Sequence, residues 1–502
     1  RSQLHKGYAL LVGLSTKEIY SLCKYSDYQI IVVEQNPALI EKMRRQLDSL
    51  NLYGTRVSIH QSSHKKLPYG DGIFNFILDP KNKLAKKEKL RLLQPFNGLA
   101  LSGPKYKQAI SGIPPQGSGS WTNMYGNAAN TNCSNESNVG TKLALQWFGP
   151  PGPKKMVDRH HRTIAPLSHD GRLFIPGENV IICSDAWNGT VLWEKQVPQS
   201  IRIMAHKDCS YISVDDRYLY IAAADKCLIV DVRNGKTVRE LSTKTADTEW
   251  GYIGLTSSMI IGSSSSKGAI RRLQNHENTA SLTHYDYTPV IVSNSLFATQ
   301  KGQAKTRWKY TPKGSIIHTS LCLYKGNVYF IESHNPNTLE GPQTLEDLLS
   351  NGSSIVCLNG KTGRKLWRRE HDIKDFRHTV NLAAAQDVLV CNGSKNVNTT
   401  VAGTNKKSRG EVRYNLFTMN AKTGKLLWKK EMNPKLRGGG SHGEPDRRPV
   451  IIGDKVYLEP FCYDLKSGSD DKEFTFKITK RKGCGQMTAS KKAIYFRNAT
   501  AG

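Results

Sequence analysis

No two of the ten cysteines among the 502 residues are spaced C-x-x-C, and no C-x-x-C-H occurs. Their absence excludes a zinc ribbon, a thioredoxin-type pair and a c-type haem attachment. An even count leaves disulfides open without indicating any pairing. No apolar run approaches the roughly 20 residues of a membrane span. The longest runs, Ala9–Val12 and Ile30–Val33, are strand-sized. A G-x-x-x-x-G-K-[ST] phosphate loop, an H-E-x-x-H helix and a G-x-S-x-G elbow are all missing. So is an N-terminal signal peptide: the first residue is Arg1, not Met, which reads as a processed or cut start. Acidic residues are scarce beside basic ones, 42 against 72, for a net charge of +30. What remains, 38% hydrophobic with 42 glycines, is the composition of an ordinary folded protein. Its length exceeds one compact core, so two domains are expected.

The first hundred residues alternate strand and helix. Tyr8–Val12 is an apolar run ended by Gly13, and a helix follows from Thr16 to Lys24. Gln29–Val33 is a second buried run closed by Glu34. Pro37 then stands at a helix N1 position, ahead of apolar residues at helical spacing from Ala38 to Leu50. Arg56–Gln61 and Ile73–Leu78 read as further strands, Lys81–Leu93 as a basic helix and Leu99–Leu101 as a fifth strand. That alternation predicts a parallel sheet covered by helices on both faces, with any ligand beyond the carboxyl ends of the strands.

"LPYGDGIFNFILDP" (Leu67–Pro80) and "KLRLLQPFNGLALSG" (Lys89–Gly103) complete this order, which resembles the class I S-adenosylmethionine-dependent methyltransferases. The resemblance implies a glycine-rich cofactor loop after the first strand and an acid ending the second. Here the loop is Gly13-Leu14-Ser15-Thr16-Lys17-Glu18, with one glycine, while Glu34 matches the ribose-binding acid. Ser62 and Ser63 stand where a third-strand acid is expected. Gly13 and Glu34 are therefore read as a vestigial cofactor site, and adenosylmethionine is not expected to bind.

After residues 104–120, "PKYKQAISGIPPQGSGS", which read as a linker, the chain repeats itself. "SDAWNGTVLW", "LNGKTGRKLW" and "MNAKTGKLLW" end at Trp193, Trp367 and Trp428. In each, Asp185, Asn359 or Asn420 lies four residues before a Gly and eight before the Trp. Weaker copies begin at Asp231, Gln300 and Asp464, so successive separations are 46, 69, 59, 61 and 44 residues. A period of that size, with strand formers and an aromatic in each unit, predicts four-stranded propeller blades.

This unit resembles the blade signature of quinoprotein-like propellers, found in pyrroloquinoline quinone dehydrogenases and in propeller lipoproteins of outer-membrane assembly. With "HHRTIAPLSHDGRLFI" and "SHGEPDRRPVIIGDKVYLEP", the chain resembles a bacterial family that fuses a methyltransferase-like domain to such a propeller. The expected architecture is an α/β Rossmann-like domain over 1–103, a linker over 104–120 and an all-β propeller over 121–502. The propeller is expected to be of the eight-blade type with its last blade incomplete.

Propeller ligands sit where the innermost strands begin. Counting nine residues back from each inner hairpin gives Thr163, Cys209, Glu249, His318, His378, Asp446 and Cys484. His318, His378 and Asp446 are the catalytic candidates. Cys209, Glu249, His318, His378, Asp446 and Cys484 are the metal candidates, soft and hard ligands together. Arg162, Arg377, His442, Arg447 and Arg448 flank them as anion clamps for a cofactor. A metal ion or pyrroloquinoline quinone is the cofactor expectation. The adjacent cysteine pair of some quinoprotein alcohol dehydrogenases is absent, and the same groups could instead be polar lining.

Three functions follow: an extracytoplasmic (periplasmic) binding or assembly subunit, a redox or metal-dependent oxidoreductase at the channel mouth, and a live methyltransferase. The first is favoured, because both catalytic templates are incomplete. The basic residues are scattered along the sequence without aromatic interleaving, so no nucleic acid is expected. The expected partner is a protein or an acidic polymer, in a larger assembly.

Overall fold

In the computed structural model the described residues are 5–149, 152, 155–156, 164–203, 208–243, 246–269, 289–339, 343–397, 411–432, 448–474 and 486–496. The head comprises β1 (Lys6–Val12), α1 (Thr16–Tyr25), β2 (Asp27–Glu34), α2 (Pro37–Asp48), β3 (Val57–Gln61), β4 (Phe76–Asp79), α3 (Lys86–Leu92), β5 (Leu99–Ser102) and β6 (Gln108–Ser111). Its sheet runs β3-β2-β1-β4-β5-β6, with β1 to β5 parallel. Ala9, Leu11, Ile30, Val32 and Ile59 fill one face together with Ile19, Ile40 and Leu47 from α1 and α2. The order of strands and helices is the one the methyltransferase resemblance implies.

Gln108–Ser111 lies inside the stretch read as a linker, yet β6 pairs antiparallel with β5. Four residues of "QAIS" are too few to show a period, and the turn-rich flanks hid them. The ladder with β5 ends at Ser111.

The remaining sheets are antiparallel propeller blades. Blade 1 is built from Leu167–His169, Arg172–Pro176, Val180–Asp185 and Val191–Gln196. Blades 2 and 3 end in outer strands Thr237–Ser242 and Thr306–Tyr310, and blades 4 and 5 in Lys365–Glu370 and Leu426–Met432. Three strands of a sixth blade (Val450–Ile452, Lys455–Leu458, Phe461–Asp464) and two of a seventh (Thr488–Ala489, Ile494–Tyr495) are described. The nine described cysteines are all unpaired. No helix among the described residues is long and apolar enough to cross a membrane.

The repeat signature has a mechanical cause. The Asp or Asn side chain caps its own turn: Asn420 Oδ1 accepts from the Lys422 and Thr423 amides, both at 3.0 Å. Four residues on, the Gly takes a positive φ, 73° at Gly363 and 70° at Gly424, a conformation that suits glycine. Its bare face receives the Trp of the preceding blade. A Cβ on Gly363 would stand 2.7 Å from Trp308, and one on Gly424 2.7 Å from Trp367. Each indole N–H donates to the carbonyl just after the next turn's Asp or Asn. Trp193 reaches Val232 (2.9 Å), Trp308 Gly360 (3.0 Å), Trp367 Ala421 (3.1 Å) and Trp428 Leu465 (3.1 Å). Trp147 makes the same contact with Ala186 of blade 1 (3.0 Å) and packs on Gly189.

Trp121–Ser134, expected to open the repeats, is instead a single strap touching the innermost strands in turn. Trp121 bridges Ser168 of blade 1, and Thr122 accepts from Val214 of blade 2. Ala128, Ala129, Thr131 and Asn132 accept from Leu323, Ala384, Ile451 and Ala489 of blades 4 to 7. Asn130 donates to the carbonyls of both Leu321 and Leu382. Backbone groups at the inner strand ends, which would otherwise need water, are satisfied by one segment.

The head rests on blade 1. Asn75 Nδ2 donates to Asp185 Oδ2, and Asn188 Nδ2 to Asn75 Oδ1, both at 2.7 Å. Trp187 packs on Gly72, where a Cβ would stand 2.6 Å from its ring.

Candidate functional site

Of the predicted ring positions, Thr163, Asp446 and Cys484 lie outside the described residues, as do the flanking Arg162, His442 and Arg447. The structure places Cys209, Glu249, His318, His378 and Arg448 in the interior, all buried, and leaves Arg377 exposed in an ion pair with Glu346 (3.0 Å). Glu249 turns aside to accept from the Gly268 amide at 2.7 Å. The His378 amide donates to the Ser394 carbonyl within blade 5.

Cys209 and His318 do meet, and the group between them is Asp208, one residue from a predicted position. Asp208 Oδ1 accepts from His318 Nδ1 (2.9 Å) and from the Cys209 amide (2.7 Å). Arg202 Nη1 reaches Asp208 Oδ2 at 3.3 Å and the Gly251 carbonyl at 2.8 Å, while Nη2 donates to the Trp250 carbonyl. On its far side, His318 Nε2 contacts Ser293 Oγ and lies 3.3 Å from Ser265 Oγ. Ser293 Oγ is 2.7 Å from Ser263 Oγ. Gly251 makes room, since a Cβ there would stand 2.9 Å from His318 Cε1. The network links the approach to blade 2's inner strand, blade 3 and the approach to blade 4's.

Its electrostatics are those of a closed relay. Burial pushes Asp208 up, but Arg202, His318 and the Cys209 amide outweigh it, so the carboxyl titrates below its ordinary 3.8. Burial, with Arg202, lowers His318 below 6.5 against the opposing pull of Asp208, so the imidazole is neutral at pH 7. A carboxylate can only accept, hence Nδ1 carries the proton and Nε2 is left to accept from serine. Cys209 is pushed well above 9 by burial and by Asp208, and remains a thiol.

Asp208, Cys209 and His318 offer three ligand atoms within 4.8 Å of one another. They fit a cation poorly. Arg202 already supplies the positive charge at the carboxylate, and His318 Nδ1 and the Cys209 amide already donate to its Oδ1. Quinone clamps fare no better. Arg448 lies 3.5 Å over the Tyr125 ring and donates to the Thr319 carbonyl, while Arg202 lies 4.7 Å over Tyr211. Both guanidiniums are buried against the protein's own aromatics.

In the head, the cofactor loop is likewise taken up. Ser15 caps α1 and is itself bound by Glu18 Oε2 (2.8 Å from Ser15 N), so a carboxylate of the chain sits at that helix N-terminus. Lys83 lies over the loop: a Cβ on Gly13 would stand 3.3 Å from its Nζ. Glu34 accepts from the Gln35 (2.8 Å) and Asn36 (3.1 Å) amides. The residues present do not fit adenosylmethionine.

Comparison with known proteins bears on the same regions. Residues 114–274 and 280–469 match the PQQ-like family model described as "Outer membrane protein assembly factor BamB". None of the curated proteins matches in sequence. A quinohemoprotein alcohol dehydrogenase from Pseudomonas putida HK5 is 15% identical over 71% of this chain and 51% of its own, with a TM-score of 0.38. The chain thus spans about half the length of that dehydrogenase. BamB from Moraxella catarrhalis is 12% identical over 72% of this chain and 85% of its own, with a TM-score of 0.37. A putative S-adenosyl-L-methionine-dependent methyltransferase from Methanococcus maripaludis covers 20% of this chain and 50% of its own at 20% identity and a TM-score of 0.19.

Proposed function

Because the chain belongs to the PQQ-like propeller family described as outer membrane protein assembly factor BamB, we propose that it is an extracytoplasmic binding or assembly subunit. On this reading the methyltransferase-like head, running through Ser111, is a docked structural domain. The carrying observation is that the channel groups best suited to chemistry are spent on one another. Asp208, His318 and Arg202 are all completely buried and hydrogen-bonded in one network. A catalytic base needs a path to a substrate proton, and His318 has its Nε2 against serines of its own chain. The filled loop at Gly13 supports the same reading for the head.

Metal analysis and a visible absorption spectrum of the purified protein, with adenosylmethionine calorimetry, test it. Substoichiometric metal, no quinone band and no saturable heat are expected. Stoichiometric metal or a quinone band would instead favour the channel-mouth oxidoreductase. Saturable adenosylmethionine binding would restore the methyltransferase.

A further inference from the structure

The cations that are scattered along the sequence gather when the blades are placed in ring order. The outer turn and strand of blades 3, 4 and 5, residues 301–310, 360–370 and 421–432, carry thirteen Lys and Arg against two acids, Glu370 and Glu431. Blade 1's equivalent, 186–196, balances Lys195 with Glu194, blade 2's, 232–242, sets Arg233, Lys236 and Arg239 against Glu240, and blade 6's, 465–474, sets two lysines against three acids. The three basic units are in direct contact. Trp308 of blade 3 packs on the Gly363 turn of blade 4. A Cβ on Gly424 of blade 5 would meet both Trp367 and, at 2.8 Å, Arg369 Cγ of blade 4.

Lys301, Arg368 and Lys430 are paired with Asp215, Glu332 and Asp470. Lys305, Lys309, Arg364, Lys365, Lys425 and Lys429 are exposed and make no ion pair with a described residue. Set among them are outward-facing leucines, Leu366 (40% exposed), Leu426 (51%) and Leu427 (43%). Lysines on edge strands commonly guard against sheet-to-sheet aggregation. Every blade's outer strand needs that guard, whereas the charge is concentrated in three adjacent blades and falls off on either side, so the guard alone does not account for it.

Resting on the assembly reading above, we infer that the outer rim of blades 3 to 5 is the docking surface, and that its partner is an acidic polypeptide bearing apolar side chains. Charge complementarity sets the sign of the partner, and long-range attraction would steer it. The leucines set its class. An anionic polysaccharide has nothing to place on them. A membrane surface needs deeper anchors, and no Trp or Phe is exposed in this sector.

The test uses the full chain and fluorescently labelled poly(Glu,Tyr), with poly-Glu, dextran sulfate and phosphatidylglycerol-containing vesicles for comparison. A sector variant carries Arg364→Gln, Lys365→Gln, Lys422→Gln and Lys425→Gln. A control neutralises Lys65, Lys81, Lys86 and Lys87 on the head in the same way. We expect saturable copolymer binding that the sector variant weakens about tenfold or more and the control about twofold or less. Leu426→Ser with Leu427→Ser should weaken binding of poly(Glu,Tyr) and leave poly-Glu unchanged. Equal loss in sector and control variants overturns the proposal, since net charge alone then acts. So does binding of dextran sulfate or vesicles as tight as that of the copolymer, or no copolymer binding at all. None of these results depends on whether the channel holds a metal or quinone, so the assembly reading stands or falls separately.

Discussion

His318 and Asp208, 110 positions apart in sequence, meet at 2.9 Å with neither side chain reaching solvent, and Arg202 closes the other face of the carboxylate. A buried charge pair contributes little by forming, but removing one partner strands the other. Asp208→Asn should therefore destabilise the protein by about 3–5 kcal/mol, because Arg202 is left charged in the interior. Combining it with Arg202→Met should recover part of that loss. Urea unfolding of the two variants measures both. Equal stability of Asp208→Asn and the parent would mean the pair is solvated in solution.

The same relay gives the stability a pH dependence. His318 is lowered below 6.5 in the fold and returns to its ordinary value on unfolding. The unfolded chain thus binds the extra proton first, and stability falls as pH drops below about 6.5. Asp208, also lowered, adds its own loss only at more acid pH, below its ordinary 3.8. Thermal unfolding of the parent and His318→Gln across that range should show a steeper acid slope in the parent. Parallel curves would remove His318 as the cause.

Much of this was legible from residue order alone, and the rest was hidden for definite reasons. The Asp/Asn-x-x-x-Gly-x-x-x-Trp unit is visible because three constraints, turn cap, positive φ and indole seat, fall at fixed offsets within one turn. The head's strand order shows because buried parallel strands are continuous apolar runs. Counting back from the hairpins found Cys209 and His318 but passed Asp208 by one residue and never touched Arg202 or Ser293. Arg202 and Asp208 sit in a connection and Ser293 in a two-residue strand, where no period operates. The strap at Trp121–Ser134 was hidden for another reason: it meets blades 1, 2 and 4 to 7 each through different residues, so nothing in it repeats.

The indole seats make a prediction of their own. Gly424→Ala places a methyl 2.7 Å from Trp367 and an alanine at φ 70°. Strain of this kind costs about 1–3 kcal/mol. Gly453, also at positive φ but with no atom near its Cβ position, supplies the comparison. Gly453→Ala should lose only the backbone part. Denaturant midpoints that match for the two would show that the blade 4–5 seam yields freely.

Asn75 offers a test of how the head is held. Asp185, at the start of blade 1's turn, is raised above its ordinary 3.8 by burial, against the pull of the Trp187 amide and of the Asn75 side chain. A folded state with a raised carboxyl binds more protons than the unfolded one, so acid favours it. Asn75→Ala removes a donor that favours the ionised form of Asp185 over the protonated one. It should cost about 1–3 kcal/mol near neutrality, the range for leaving a buried acceptor unsatisfied. The cost should shrink at acid pH, where Asp185, raised above its ordinary range, takes up its proton. Urea unfolding of parent and variant at neutral and acid pH reads the difference. Limited proteolysis at residues 112–120 should rise in step with it if the Asn75–Asp185 contact is what seats the head on the propeller. A cost that does not change with pH would mean that Asn75 acts through Tyr8 and Asn188, its other partners, and not through the charge on Asp185.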